Sequence, residues 1–254
     1  MIRRLAACLA VVAIVAGACG GTSAPALTDP KDILTQSVAS LSTLKSAHVH
    51  LDVAGTFNAD LQGTGTPTAI DLQGTTADMD IDLPNKKIHA SFGVPALLGL
   101  SGDLIQIGSD QYIKISLVGP KYKKSTTPTS TTASSSPPTD PQTVIAGLKD
   151  GLSKLTTPPV KDADEKVGDQ DCYKVTLKLT AADLSGAGAP LPSGTTGDGT
   201  IDVWVRKNDL RPAKLLATIN AGTQGTLTVT VTISNIDSAV TIDAPPADQI
   251  DTTP

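Results

Sequence analysis

The sequence predicts an α+β fold in which helices lie on one face of a meandering antiparallel sheet. Three observations carry that prediction. Apolar and polar residues alternate at period two in stretches spread over most of the chain, as in strands with one buried face. Two other stretches repeat their apolar residues every three or four positions, as amphipathic helices do. Turn-forming pairs such as Pro84-Asn85, Ser109-Asp110, Gly168-Asp169 and Asn208-Asp209 separate the alternating stretches, with Gly197-Asp198-Gly199 as a further break.

The first element is a targeting segment. Arg3 and Arg4 precede an apolar run from Leu5 to Val15 and the small residues Ala16, Gly17 and Ala18, which is the layout of a signal peptide over residues 1–18. That run is too short for a hydrocarbon core needing about 20 residues. Ala16-Gly17-Ala18-Cys19 resembles the lipobox of bacterial lipoproteins, with Ala16 where leucine is usual. Cys19 is therefore expected to become the first mature residue and to carry a diacylglyceryl group. Two chains at about 0.8 kcal/mol per buried CH₂ anchor a protein stably where one is marginal. Residues 19–28, with Gly20-Gly21-Thr22-Ser23, read as a flexible tether. The expected location is the cell membrane, lipid-anchored on its extracytoplasmic face.

A single domain is expected over residues 29–250. Asp29-Pro30-Lys31-Asp32 supplies an N-cap, a first-turn proline and a first-turn carboxylate. Ile33, Leu34, Val38, Leu41 and Leu44 follow as one stripe ending near Lys45-Ser46. The period then becomes two, with Val49, Leu51 and Val53 opposed to His48, His50 and Asp52. Further strands are expected at Met79–Leu83, Leu104–Ile107, Tyr112–Ile115, Tyr173–Leu179, Ile201–Arg206 and Leu227–Ile233. The Ser/Thr/Pro-rich stretch 125–139 has nothing to bury and is expected to be a disordered loop inside the domain. Asp140-Pro141 begins a second helix, with Val144, Ile145, Leu148, Leu152 and Leu155 on its stripe. A short third helix is expected over residues 180–184, where Thr180 and Asp183 form a capping box.

Composition narrows the function classes. The net charge of −5 over 254 residues is dispersed, with no basic stripe, so nucleic acid is not an expected partner. Aromatic residues make up 2% of the chain, so Val, Ile, Leu and Ala must fill the interior or line a space for something equally aliphatic. Loss of the signal removes Cys8 and leaves Cys19 and Cys172, so no internal disulfide is expected if Cys19 is lipidated. Cys172 reads as a small apolar residue of a strand.

Enzymatic readings find little support. His48, His50 and His89 are accompanied by no Gly-x-Ser-x-Gly elbow. Asp78, Asp80 and Asp82 would stand about 7 Å apart on one strand face, but Leu83 and His89 occupy the positions where a calcium loop needs Gly and Glu. The three carboxylates read as a solvated face. The glycines of residues 194–199 lack the lysine and helix of a phosphate loop. No catalysis, cofactor or metal is expected.

Leu44-Lys45-Ser46-Ala47-His48, which closes the first helix and opens a strand, resembles the mycobacterial LppX/LprAFG lipoproteins. Asp164–Gly168 leading into Tyr173-Lys174-Val175, the strand Val203-Trp204-Val205, and Ser234-Asn235-Ile236 running to Val240–Pro246 follow in the family's order. The resemblance covers nearly the whole mature chain. It implies a curved antiparallel half-barrel of roughly ten or eleven strands with helices on its concave face, similar to the carrier LolA, and an apolar cavity between the two layers.

On that resemblance the cavity is expected to be lined by Val49, Leu51 and Val53, by Met79, Ile81 and Leu83, and by Ile105, Ile113 and Ile115. Val175 and Leu177, Val203 and Val205, and Val229 and Val231 complete the lining, while Leu97 and Leu98 lie in an apolar stretch, 94–100, that could gate it. The expected function is carriage of an acyl lipid or glycolipid by a monomer, with an envelope transporter as a conceivable partner. The alternative is a lipid-anchored structural or protein-interaction module without lipid cargo.

Overall fold

A computed structural model describes residues 26–59, 66–126, 141–181, 183 and 197–251. The lipobox, most of the Ser/Thr/Pro stretch and the end of the expected third helix lie outside these residues.

Helix α1 (Pro30–Ser40) starts where the capping signal lies. The Asp29 carboxylate accepts from the amides of Lys31 at 2.7 Å and Asp32 at 3.2 Å, satisfying donors that the first turn cannot pair internally. A single 3-10 turn, Leu41–Thr43, ends it. Its buried face is Ile33, Leu34 and Ser37. Helix α2 (Pro141–Lys154) packs beside α1 and the 3-10 turn. Ile145 is buried and Leu152 and Leu155 join the core, but Leu148 is 46% exposed. At the expected third helix, Thr180 and Asp183 exchange the capping-box bonds, Thr180 N donating to Asp183 Oδ2 at 2.8 Å and Asp183 N to Thr180 Oγ1 at 3.3 Å. The Thr180 amide bond, with further bonds from hydroxyls, lowers the Asp183 carboxyl to about 2.

The chain forms one sheet whose strands are β1 (Ser46–Ala59), β2 (Thr68–Asp71), β3 (Thr75–Asp82), β4 (Lys87–Val94), β5 (Leu100–Ile107), β6 (Asp110–Ile115), β7 (Tyr122–Thr126), β8 (Val160–Lys161), β9 (Glu165–Val167), β10 (Gln170–Leu179), β11 (Asp198–Arg206), β12 (Pro212–Asn220), β13 (Gly225–Ser234) and β14 (Ile250–Asp251). Its order is β14-β7-β6-β5-β4-β3-β1-β13-β12-β11-β10-β8, with β2 beside β1 and β9 beside β10. Hairpins build two antiparallel meanders, β3 to β7 and β10 to β13, which β1 joins by pairing with both β3 and β13. The sheet is curved and open, and its fourteen strands exceed the expected number. The excess consists of β2, β8, β9 and β14, each of four residues or fewer. β14 pairs with β7 in parallel, the exception in an otherwise antiparallel sheet.

Cores form on both faces. Beneath α1, Tyr173, Val175 and Leu177 of β10 and Val203 and Val205 of β11 pack with Ile33 and Leu34. Each such side chain, fully buried, contributes about 1.5–3 kcal/mol. On the other face Ile105, Tyr112 and Tyr122 pack with Ile242 from the C-terminal segment, and Val240 and Ile250 close around them. A smaller cluster on that face joins Cys172, Trp204 and Ala213.

Candidate functional site

Register fixes which side chains share the helix-bearing face. One row runs across nine strands, from Val175 through Val203, Leu215, Val231, Leu51, Ala77, Phe92 and Gly102 to Ile115. A parallel row contains Ile233, Val49, Met79, Ala90, Leu104 and Ile113. Val229 and Val53 are paired two residues along from the first row. Ile81 faces Ala47 and Ile88. A period of two puts all of these on one side of the sheet.

The face is not uniformly covered. Val175 and Val205 are wholly buried beneath α1. Away from the helices Val49, Leu51, Val53, Met79, Ile81, Val229 and Val231 are only half-buried, as are Ile88, Ala90 and Leu104. Ile113 is 37% and Phe92 38% exposed. The Phe92 ring lies over Gly102, where a Cβ would collide with it. The face therefore has a packed end and a larger aliphatic expanse that the described helices leave without a full layer of neighbours. A polar atom interrupts it: Thr75 Oγ1, opposite Val53, is buried with no hydrogen-bond partner.

Most of the residues expected to line a cavity are thus brought together. Val175, Leu177, Val203 and Val205 lie at the packed end, and the other strand residues lie on the open expanse, with one correction. Ile105 pairs with His89 and Tyr112 on the opposite face and belongs to the core under Ile242. Leu104 lies on the half-buried aliphatic face and Ile105 in the core under Ile242, so both are apolar and alternation alone could not say which faced the helices. Leu83 lies in the β3–β4 turn, half-buried, with its amide bonded to the Lys45 carbonyl at 2.8 Å. Leu97 and Leu98 occupy the β4–β5 turn, beyond the paired strands, at 37% and 91% exposure. Ile88, Ala90, Phe92, Leu104, Leu215 and Ile233 share this face and were not singled out from the sequence. The alternation of Ile88, Ala90 and Phe92 with His89 and Ser91 was a signal that could have found three of them.

The opposite face is polar at its centre. His50 Nδ1 lies 2.6 Å and His48 Nε2 3.5 Å from the same Asp78 oxygen, while His48 Nδ1 reaches Asp80 at 2.8 Å and His50 Nε2 reaches Asp52 at 3.1 Å. The bond from Asp78 raises the His50 pKa above its ordinary 6.5. Asp103 accepts from Tyr122 OH at 2.8 Å and lies 3.3 Å from His89 Nε2. Of the three carboxylates expected on a solvated face, Asp78 and Asp80 are thus paired with histidines, while Asp82 accepts from Asn85. No group of three or more His, Cys, Asp or Glu among the described residues is arranged to hold a metal ion. Further along this face Trp204 donates its indole N–H to Glu165 at 2.9 Å, which with Lys174 holds that carboxyl below its ordinary range. The ring lies between Lys174 and Lys214, at 5.1 and 4.9 Å. Cys172 is wholly buried, and burial pushes its thiol up, which suits a packing residue and not a nucleophile.

No helix among the described residues is long and apolar enough to cross a membrane. No family model matches the chain. No curated protein matches it in sequence. Solved structures do. LprF from Mycobacterium bovis aligns over 85% of this chain and 96% of its own, with 19% identity and a TM-score of 0.53. The Mycobacterium tuberculosis lipoprotein LppX aligns over 84% of this chain and 98% of its own, with 15% identity and a TM-score of 0.52. At such identities the likeness is one of fold.

Proposed function

Taking as premise that the chain folds as these mycobacterial lipoproteins do, we propose that it is a lipid-anchored extracytoplasmic protein that holds acyl chains of a lipid or glycolipid against its sheet. One observation carries the reading: the largely aliphatic face that is fully buried under α1 but only half-buried from β13 to β6. A monomeric domain with that much apolar surface gains by covering it with something equally apolar. Chain methylenes do so at about 25 cal/mol per Å² removed from water. The low aromatic content, 2%, leaves few rings to fill the space from within.

Affinity would then come from chain burial, with the polar head at the rim. In this reading Cys19 holds the carrier beside its membrane source. The chemistry needs no catalytic group or cofactor. Met79→Trp or Ile81→Trp places an indole where chains are proposed to lie. Either change is expected to reduce binding of a fluorescent acyl-lipid probe at least several-fold, since a bulky ring occupies the area that a chain would cover. The circular dichroism spectrum should be retained. Undiminished binding in both folded variants would overturn the reading.

A further inference from the structure

We infer that the tips of the β4–β5 and β6–β7 hairpins form a docking rim for the surface of an anionic lipid bilayer. The three most exposed large apolar side chains among the described residues lie on these two turns: Leu98 at 91%, Val118 at 64% and Leu117 at 62%. The hairpins are neighbours through β5–β6 pairing, which Ser116 N extends by donating to Ser101 O at 2.9 Å and Ser101 N by donating to Ser116 Oγ at 3.0 Å. The apolar tips therefore project from one end of the sheet as a pair.

These tips are ordered. Leu97 N donates to Val94 O at 3.1 Å, Gly99 N to Pro95 O at 3.1 Å and Leu100 N to Leu97 O at 2.9 Å. Leu98 itself adopts φ of 56°, a left-handed conformation that a branched apolar residue rarely takes. Strain of that kind persists where surrounding bonds hold it, and here it leaves a leucine pointing into solvent. A leucine so placed has no packing role in the domain.

Charge selects the partner. Residues 111–126 contain Lys114, Lys121, Lys123 and Lys124 and no carboxylate, in a chain whose net charge is −5. Lys114 is turned to Tyr122 OH at 3.3 Å and Lys124 to Asp110 at 2.8 Å. Exposed Lys121 follows the Leu117-Val118 tip after Gly119-Pro120, and exposed Lys123 comes two residues later, paired in register with Asp251 of β14. Apolar side chains flanked by lysines fit a bilayer surface, the former entering between headgroups and the latter meeting lipid phosphates. Docking would bring the open aliphatic face to the membrane, but it does not require that the face hold cargo.

The test uses the full chain reconstituted into vesicles of phosphatidylcholine, with or without phosphatidylglycerol. An environment-sensitive bimane is attached through Leu98→Cys, Val118→Cys or, as a control at the far end of the sheet, Asn208→Cys. Cys8 and Cys19 are replaced by serine in every labelled variant, and Cys172 is buried and should not react. With phosphatidylglycerol present, bimane at positions 98 and 118 is expected to shift to the blue and to be quenched by brominated acyl chains, whereas the label at 208 should not. Lys121→Glu with Lys123→Glu is expected to lower the docked-to-undocked ratio at position 118 on the order of tenfold, and salt to act in the same direction. Quenching at 98 and 118 no greater than at 208 would overturn the proposal and leave a protein partner for the rim. Equal quenching in neutral vesicles, unaffected by the lysine changes, would overturn its electrostatic half. Neither result bears on acyl-probe binding, which is measured separately.

Discussion

At His50 the local chemistry predicts a pH dependence. Its imidazole is held by Asp78 and Asp52, and its pKa is raised in the folded state. Protonated His50 therefore stabilises the fold fully below the unfolded pKa of 6.5, and that contribution is lost as pH rises through the folded value. Thermal unfolding between about pH 6 and pH 8 should show stability falling with pH, and His50→Gln should flatten the slope. An unchanged slope in the variant would contradict the role assigned to His50. Thr75 predicts the opposite kind of result. Its hydroxyl is buried with no hydrogen-bond partner, so Thr75→Val removes an unmatched polar group while keeping the shape. Chemical denaturation should find the variant equal in stability or stronger by up to about 1 kcal/mol. A clear loss would mean that the hydroxyl is satisfied in solution.

Among the elements, β1 and β13 form the junction of the two meanders, and their contact depends on glycine. Gly55 and Gly225 both adopt φ of 116°, and a Cβ on either would collide with the carbonyl oxygen of the facing strand, Thr226 or Thr56. Gly225→Ala should destabilise the domain by about 1–3 kcal/mol or more from backbone strain alone. A melting temperature matching the parent's would contradict that geometry. The strands most legible in the sequence were those with one wet face, such as β1 and β13, where valines and leucines alternate with histidine, aspartate and threonine. Less legible was β12, whose consecutive Leu215 and Leu216 face opposite clusters and erase the alternation. The short strands β8 and β14 are set by pairing with residues elsewhere in the chain, β9 by a tight hairpin to β10, and none is long enough to carry a periodic signal of its own. Both helix starts were readable because an acid-proline pair marks a first turn wherever the helix later packs.

Across the whole molecule, the proposed function turns on a sheet with two unlike faces. The sequence showed that an aliphatic face existed, and the resemblance implied a use for it. It could not show how far the helices cover that face, because coverage depends on where α1 and α2 dock and not on any strand's own pattern. Nor could it reveal the second core, in which Ile242 crosses from the C-terminal segment to bury Ile105. Ile105 was misplaced for that reason, while Leu51, Met79 and Val231 were found because their opposite neighbours are polar. The half-buried expanse beyond α1 is the feature from which the lipid reading follows, so occupancy of that expanse is the direct test. Native mass spectrometry of the purified chain, with extraction of whatever it carries, should reveal a co-purifying lipid bearing two or more acyl chains that is released on unfolding and depleted in Met79→Trp. A protein that is uniformly empty, and that stays empty when offered membrane lipids, would contradict the account.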